Sequence, residues 1–440
     1  MNAMTIDAHD NALTTLSDEA TRVFDAYVEQ HLNYGPDLGI IFDAIRHDPE
    51  DPYLNAQGAV VHMALEAAEG FRAARPFLDR AAPGLTAGRV TSRERDFIEA
   101  AFAFAEADSH LAADILTATA RRYPTDVSAA KWAQYHHFNL GQAEGMLAAA
   151  EAVLPALEGR PFVHGMHAFA LEQMGDFVGA EAEGRRAIEI EREDPWAHHA
   201  VAHVMEMQGR VEEGEAFMRA LSPIWDKAGI FIREHNWWHI ALFLLDQERF
   251  DEALAIYDER LWGEWPEFGQ EQIGAISALW RMELRGVDVG SRWESVGAKV
   301  AEREFEHVQP FHDLHYIYAL TRSGETVRAK DFLTSLRANA EIRQNGSRAI
   351  WAGTGLPLAE ALNAYGEGRF EEAFEAIDPL IPRLQLIGGS HAQRDLFVQS
   401  WIDLMVKTGR MSAAREALEK RIEARPEVIS TRHQLEKLPG

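Results

Sequence analysis

Gly141, Gly175 and Gly209 recur at intervals of 34 residues, and the residues ahead of each glycine repeat with them. Pro161 and Pro195, Phe162 and Trp196, His164 and His198, Ala168 and Ala202, and Glu172 and Glu206 all keep that interval. A period of this length is that of one helix–turn–helix unit, with a small residue where the helices cross and glycine at the turn. One unit cannot bury its apolar face alone, so neighbours must stack. The stacking requirement sets the fold class before any other residue is read.

Spacing, mid-helix alanine and turn glycine together form the tetratricopeptide signature. They predict an all-α chain, an α-solenoid of tetratricopeptide-like helical hairpins. Ser17-Asp18-Glu19 reads as a helix start leading into 21–31, and a second helix spans 38–46 before Pro49 stops it. Hairpins follow at 54–69 with 71–81, 91–107 with 110–123, and 127–140 with 143–157. After Gly263 the spacing loosens into an aromatic loop, 262–269, a helix over 270–285, and later turns near Gly324, Gly368 and Gly409. Residues 1–17 are polar and read as frayed or loosely docked. No alternating run is long enough to predict a strand. The expected organisation is residues 1–50 as N-terminal capping helices and 51–435 as solenoid, with the regular repeats at about 127–263.

Composition removes whole classes of function. Acidic residues outnumber basic ones by 70 to 43, a net charge of −27, so no nucleic acid partner and no anionic membrane surface is expected. Cysteine is absent, which excludes disulfides, thiolate metal sites and a cysteine nucleophile. The N-terminus lacks a basic segment followed by an apolar one, and no apolar run reaches the length of a membrane span. A cytoplasmic protein is the expectation. There is no P-loop and no Gly-x-Ser-x-Gly elbow. Gly388-Gly389-Ser390-His391 and Gly353-Thr354-Gly355 read as turns, although the first precedes a helix whose N–H groups would suit an anion.

Three blocks, HGMHAFALEQMG from His164, DPWAHHAVAHVMEMQGR from Asp194 and HNWWHIALFLL from His235, hold histidine where generic repeats do not. In these blocks the chain resembles the tetratricopeptide repeat protein 38-like family. The resemblance implies an α-helical repeat fold and brings no settled activity with it.

The histidines set the candidate site. His199, His203 and Glu206 stand at i, i+4 and i+7, one stripe of one helix. His235 and His239 repeat the i, i+4 spacing on the next leading helix, with Asp246 further along. Two imidazoles and a carboxylate on one stripe are a ligand set for a divalent metal with open positions. His203, His239 and Glu206 are the candidates for acid–base chemistry, because imidazole titrates near neutral pH. Glu172, His199, His235, Trp238, His315 and His391 are the candidate ligand-binding residues, all expected to face one groove. His391 joins only if the solenoid curves back on itself. His164, His198 and Trp237 align where the two helices of a repeat pack, and read as interior structural residues, as does His167.

The function these residues favour is binding of a small molecule in a His/Glu/Trp-lined groove, with His-based or metal-assisted chemistry. The rival is a protein-interaction scaffold without catalysis, since a repeat groove also takes peptides; self-association fits either reading. A third reading leaves the histidines only knitting adjacent hairpins together.

Overall fold

The computed structural model describes residues 4–86 and 88–439, whose regular structure is helical except for a two-residue antiparallel ladder, Thr5–Ile6 with Ala12–Leu13. The chain divides into two compact units. One runs to Val201 and takes in Ile224–Ile232; the other comprises Ala202–Pro223 and the chain from Arg233 onward.

The first unit is a succession of antiparallel hairpins: Pro52–Met63 with Ala68–Ala81, Ser92–Ala105 with Ser109–Arg122, Val127–Asn139 with Ala143–Leu157, and Pro161–Gln173 with Phe177–Ile190. Their starts are set locally. Asp51, Asp108, Asp126 and Asp176 each accept a hydrogen bond from the backbone N–H three residues on, and Thr91 does so within a reciprocal capping box with Glu94. Each such cap is worth about 1 kcal/mol. Gly141 and Gly175 lie in the turns with φ of +66° and +83°, the left-handed region that a Cβ makes costly. Within the last hairpin the helices nearly touch. A Cβ on Gly184 would stand 2.6 Å from Val201 Cγ2 and 3.7 Å from the Ala168 Cβ. Ala168 thus sits at a close helix contact, as the repeat predicts.

The N-terminal segment corrects the sequence reading. Residues 5–16 are docked, not frayed: Asp7, His9, Asn11, Leu13 and Thr15 are all buried. They belong to a short hairpin, Thr5–Ile6 paired with Ala12–Leu13 across a turn with Asp10 at φ +62°, hidden because most of the inward residues are polar. Asp7 Oδ1 accepts the backbone N–H groups of His9 and Asn11 at 2.9 and 2.8 Å. The Thr14 N–H donates to Glu94 at 2.8 Å, and Arg93 donates to the Ala12 carbonyl at 3.1 Å. Asp7, Asn11 and Thr15 meet partners, which lowers the cost of burying them, whereas both His9 ring nitrogens are buried without a hydrogen-bond partner among the described residues.

The second unit continues with hairpins that include Gly269–Leu284 with Arg292–Glu302, Pro310–Arg322 with Thr326–Ile342, and His391–Lys407 with Met411–Ala424. Gly209, Gly324, Gly368 and Gly409 all have positive φ at the turns where the sequence places them. After the helix Ile230–Asp246 the same role falls to Glu248, with φ +59°. Two loops read from sequence differ in detail. Residues 353–355 belong to a π-helical turn, Trp351–Gly355, and not to a loop. Gly388 and Gly389 do form a turn, and Ser390 then caps His391–Lys407 in a capping box with Gln393.

Candidate metal centre

Two helices carry the site, Pro195–Gln208 and Ile230–Asp246. The four-residue spacing puts His199 and His203 on one stripe of the first helix, and His235 and His239 on one stripe of the second. One ring nitrogen from each of His203, His235 and His239, all in the second unit, lies within 4.8 Å of the others, and His199 stands a turn before His203 on the same helix. The His203 and His239 rings meet edge to face, 4.5 Å between centroids, and His235 meets His239 at 5.0 Å.

Around a tetrahedral zinc ion with Zn–N of about 2.05 Å, ligand nitrogens stand about 3.3 Å apart. The widest pair here therefore has to close by at most about 1.5 Å, within the reach of small χ rotations. Glu206 supplies the orienting contact. Its Oε2 accepts from His239 Nδ1 at 2.9 Å, which fixes the ring and makes Nε2 the nitrogen a metal would take. Burial pushes the Glu206 carboxyl up to about 7, against the pull of Arg425 and His203. Burial, reinforced by His239 and His203, holds His235 well below the ordinary imidazole range, so it stands neutral near pH 7.

Trp238 belongs to this site. Its ring is stacked on His235 at 5.1 Å and 12°, and the Arg281 guanidinium lies over it at 5.2 Å. Asp246 has a different task, bridging Arg285 at 3.0 Å and Arg425 at 2.7 Å. The expectation of an open groove lining needs correcting for this cluster. His199, His203 and His239 are no more than 1% exposed and His235 is half-buried, so the imidazoles are enclosed by packing. The apolar residues alternating with them on the same helices draw all sides of the helix inward.

The remaining predicted ligands fall elsewhere. Glu172 is fully buried and accepts from Gln173. His315 is held by its own helix, Nδ1 donating to the Phe311 carbonyl at 2.8 Å, with Phe311 and Phe397 packed on its ring. Burial lowers its pKa to about 3. His391 is half-buried at the first position of its helix. Neither His315 nor His391 is part of that histidine group. The helix-packing histidines are interior: His198 accepts from the Trp225 indole N–H at 3.1 Å and donates to the Arg192 carbonyl at 2.8 Å. His164 faces Glu183 and the Glu158 carbonyl, both at 2.7 Å. His167 is half-buried, 3.5 Å from Glu183, and Trp237 is half-buried under the Arg260 guanidinium at 5.0 Å.

No protein-family model matches the sequence. Solved structures of similar build include a human IFIT1 dimer with m7Gppp-AAAA, 13% identical over 99% of this chain and 96% of that one, TM-score 0.43. The Cut9–Hcn1 hetero-tetramer of the APC/C is 11% identical over 96% of each chain, TM-score 0.30. The tetratricopeptide domain of P58(IPK) is 12% identical over 89% of this chain and 99% of that one, TM-score 0.21. This chain is a tetratricopeptide-like helical repeat protein on its own helices and turns. No helix among the described residues is long and apolar enough to cross a membrane.

Proposed function

We propose that the protein binds a divalent transition metal through His203, His235 and His239, and uses it to hold a small molecule. The observation that supports this is the convergence of three imidazoles, one from one helix and two from the next, within 4.8 Å. All-nitrogen ligation suits zinc, copper, nickel or cobalt and disfavours magnesium and calcium, which want oxygen. Exchange of one histidine, or of a water, for a ligand atom would give the open position that metal-assisted chemistry requires. The Trp238 face beside His235 favours a flat or apolar ligand body. A scaffold without a metal would leave the cluster without a role. The kinship with tetratricopeptide repeat protein 38-like sequences, a cytoplasmic setting and the absence of a nucleic-acid partner belong to this same reading, resting on the histidine blocks and the net charge.

The test is cobalt titration of the metal-stripped protein, followed by azide. One equivalent of cobalt giving a tetrahedral visible spectrum, altered by azide, is the expected result. Failure to take up cobalt, zinc, copper or nickel in excess over protein would overturn the proposal.

A further inference from the structure

A second group of buried polar atoms lies wholly within the first unit and uses none of the four histidines. Lys131, on Val127–Asn139, is buried, and its ammonium nitrogen lies 3.9 Å from the Tyr34 ring centroid and 5.0 Å from that of Trp196. Those two rings stack on each other at 4.7 Å and 19°, and Phe231 flanks Tyr34 at 5.9 Å. The cage is braced through the backbone, since the Gly229 N–H donates to the Tyr34 carbonyl at 2.7 Å. Its walls are only half-buried at Tyr34, Trp196 and Phe231, so it opens at the rim.

The polar inventory of this cage is incomplete. A lysine ammonium has three N–H donors, yet among the described residues Lys131 makes no hydrogen bond and no ion pair. Asp194 is nearly as enclosed, at 2% exposure; its Oδ1 accepts the N–H groups of Trp196 and Ala197, at 2.9 and 3.1 Å. Its Oδ2 is buried with no hydrogen-bond partner among the described residues. A Cβ built on Gly165 would reach 3.5 Å from that oxygen and 3.2 Å from the Trp196 ring, so glycine keeps that side of Asp194 clear of a side chain. Buried acceptors are ordinarily satisfied, so the unpartnered Asp194 Oδ2, in the same unit as a lysine that holds no protein acceptor among the described residues, marks where a ligand's polar atoms belong. A lysine placed here only to fill space would be expected to hold a carbonyl or a carboxylate.

The geometry points to a site in which Lys131 is the nucleophile toward a small, flat aldehyde or ketone, with Asp194 as its proton carrier. The Nζ lone pair attacks the carbonyl carbon as the C=O π pair moves onto oxygen. The two protons shed by nitrogen pass in turn through the Asp194 carboxylate to that oxygen, the first making the carbinolamine hydroxyl and the second letting it depart as water, which leaves an imine. Nothing is oxidised or reduced, and no further reactant is needed. The aromatic walls would stack on the ligand body, and Asp194 Oδ2 would receive a donor that no described residue supplies. The charge balance agrees: burial lowers the Lys131 pKa to about 7, only partly offset by Asp194, and burial raises the Asp194 carboxyl. His31 is held low by burial and by Lys131, so it adds no positive charge near neutral pH.

The experiment is reductive trapping of the intact protein with benzaldehyde and cyanoborohydride at pH 7, read by peptide mass spectrometry. Lys227 and Lys420, 75% and 73% exposed, serve as internal references in the same tube. At pH 7 an amine titrating near 7 is about half unprotonated, against less than about a thousandth of an ordinary lysine, so Lys131 is expected to be modified roughly tenfold or more faster than either. Asp194→Asn should slow Lys131 alone by several-fold, leaving the reference lysines unchanged. Labelling of Lys131 no faster than Lys227 would overturn the proposal, and so would an Asp194→Asn protein with unchanged Lys131 labelling. Because wild type carries its own references, the result does not depend on how well a Lys131 variant folds.

Discussion

His198 and His203 stand on the same helix, five residues apart, and both are fully buried, yet their surroundings differ in kind. His198 gives one ring nitrogen to a backbone carbonyl and takes an indole N–H on the other, so its tautomer is fixed by two neutral protein groups. His203 faces other imidazoles, with the ring of His239 4.5 Å away. A histidine between a carbonyl and an indole completes a packing contact. Several imidazoles turned toward one another repel as soon as any two are protonated, and gain most from a shared cation. Burial alone therefore does not separate structural from functional histidine; the chemical type of the neighbours does.

The sharpest way to break this contrast is to delete members of each class and measure both metal and stability. His203→Ala combined with His239→Ala should lower cobalt affinity by at least about a hundredfold, since two of three protein ligands are lost. Both side chains are fully buried, so a lower melting temperature should accompany that loss. His198→Ala should leave cobalt binding within about twofold and cost roughly 1–3 kcal/mol of stability through a cavity and an orphaned Trp225 N–H. If the two substitutions exchange these phenotypes, the distinction drawn from their neighbours is wrong.

Glu206→Gln probes the support beneath the ligand set. The amide oxygen can still accept from His239 Nδ1, but the carboxylate charge is gone, so metal affinity should fall about 10- to 100-fold, read in the same titration. Acid sensitivity samples the structural class. Burial holds His31, His136, His312 and His315 at a pKa of about 3, below the unfolded value of about 6.5. Below about 6.5 the unfolded chain takes up protons that the folded chain refuses, so the stability these groups contribute above that pH is lost as pH falls toward 3. Each contributes a slope of about 1.4 kcal/mol per pH unit within that window. In denaturant titrations at successive pH values, His312→Gln should make the decline shallower by about that amount. The smallest effect is expected at Gly175→Ala, where no atom lies within 4 Å of the added Cβ and only the φ of +83° opposes it. A loss of about 1 kcal/mol with unchanged metal binding is expected from denaturant melts.

The legibility of the chain follows the same line between local and assembled features. Turn glycines are local: Gly175 and Gly209 adopt positive φ because nothing else does so cheaply, and the period exposes them. Glu248 makes the equivalent turn without that letter, and its carboxylate accepts from His433 Nδ1 at 2.7 Å, a partner 185 residues away. The four histidines were legible because i, i+4 spacing fixes a stripe and the repeat sets successive helices beside each other. His315 and His391 were overreached, for a shared groove was assumed where one ring is tied back to Phe311 and the other sits at a helix start. Lys131 gave no signal, since its cage comes from Tyr34, Trp196 and Phe231, three distant segments. The N-terminal hairpin was missed because polar letters were read as solvated before their partners were known.

The docked N-terminus carries a consequence for synthesis. Thr14 finds its partner at Glu94, and Asn11 bonds Thr125 through both its side-chain amide and carbonyl groups, 114 positions later. The bonds from Ala8 to Asp25 and from Thr15 to Asp48 are within reach early, but those to Glu94 and Thr125 wait for segments made much later. Residues 5–15 are therefore fastened in stages, and the last fastening depends on the hairpin that ends at Arg122 being in place.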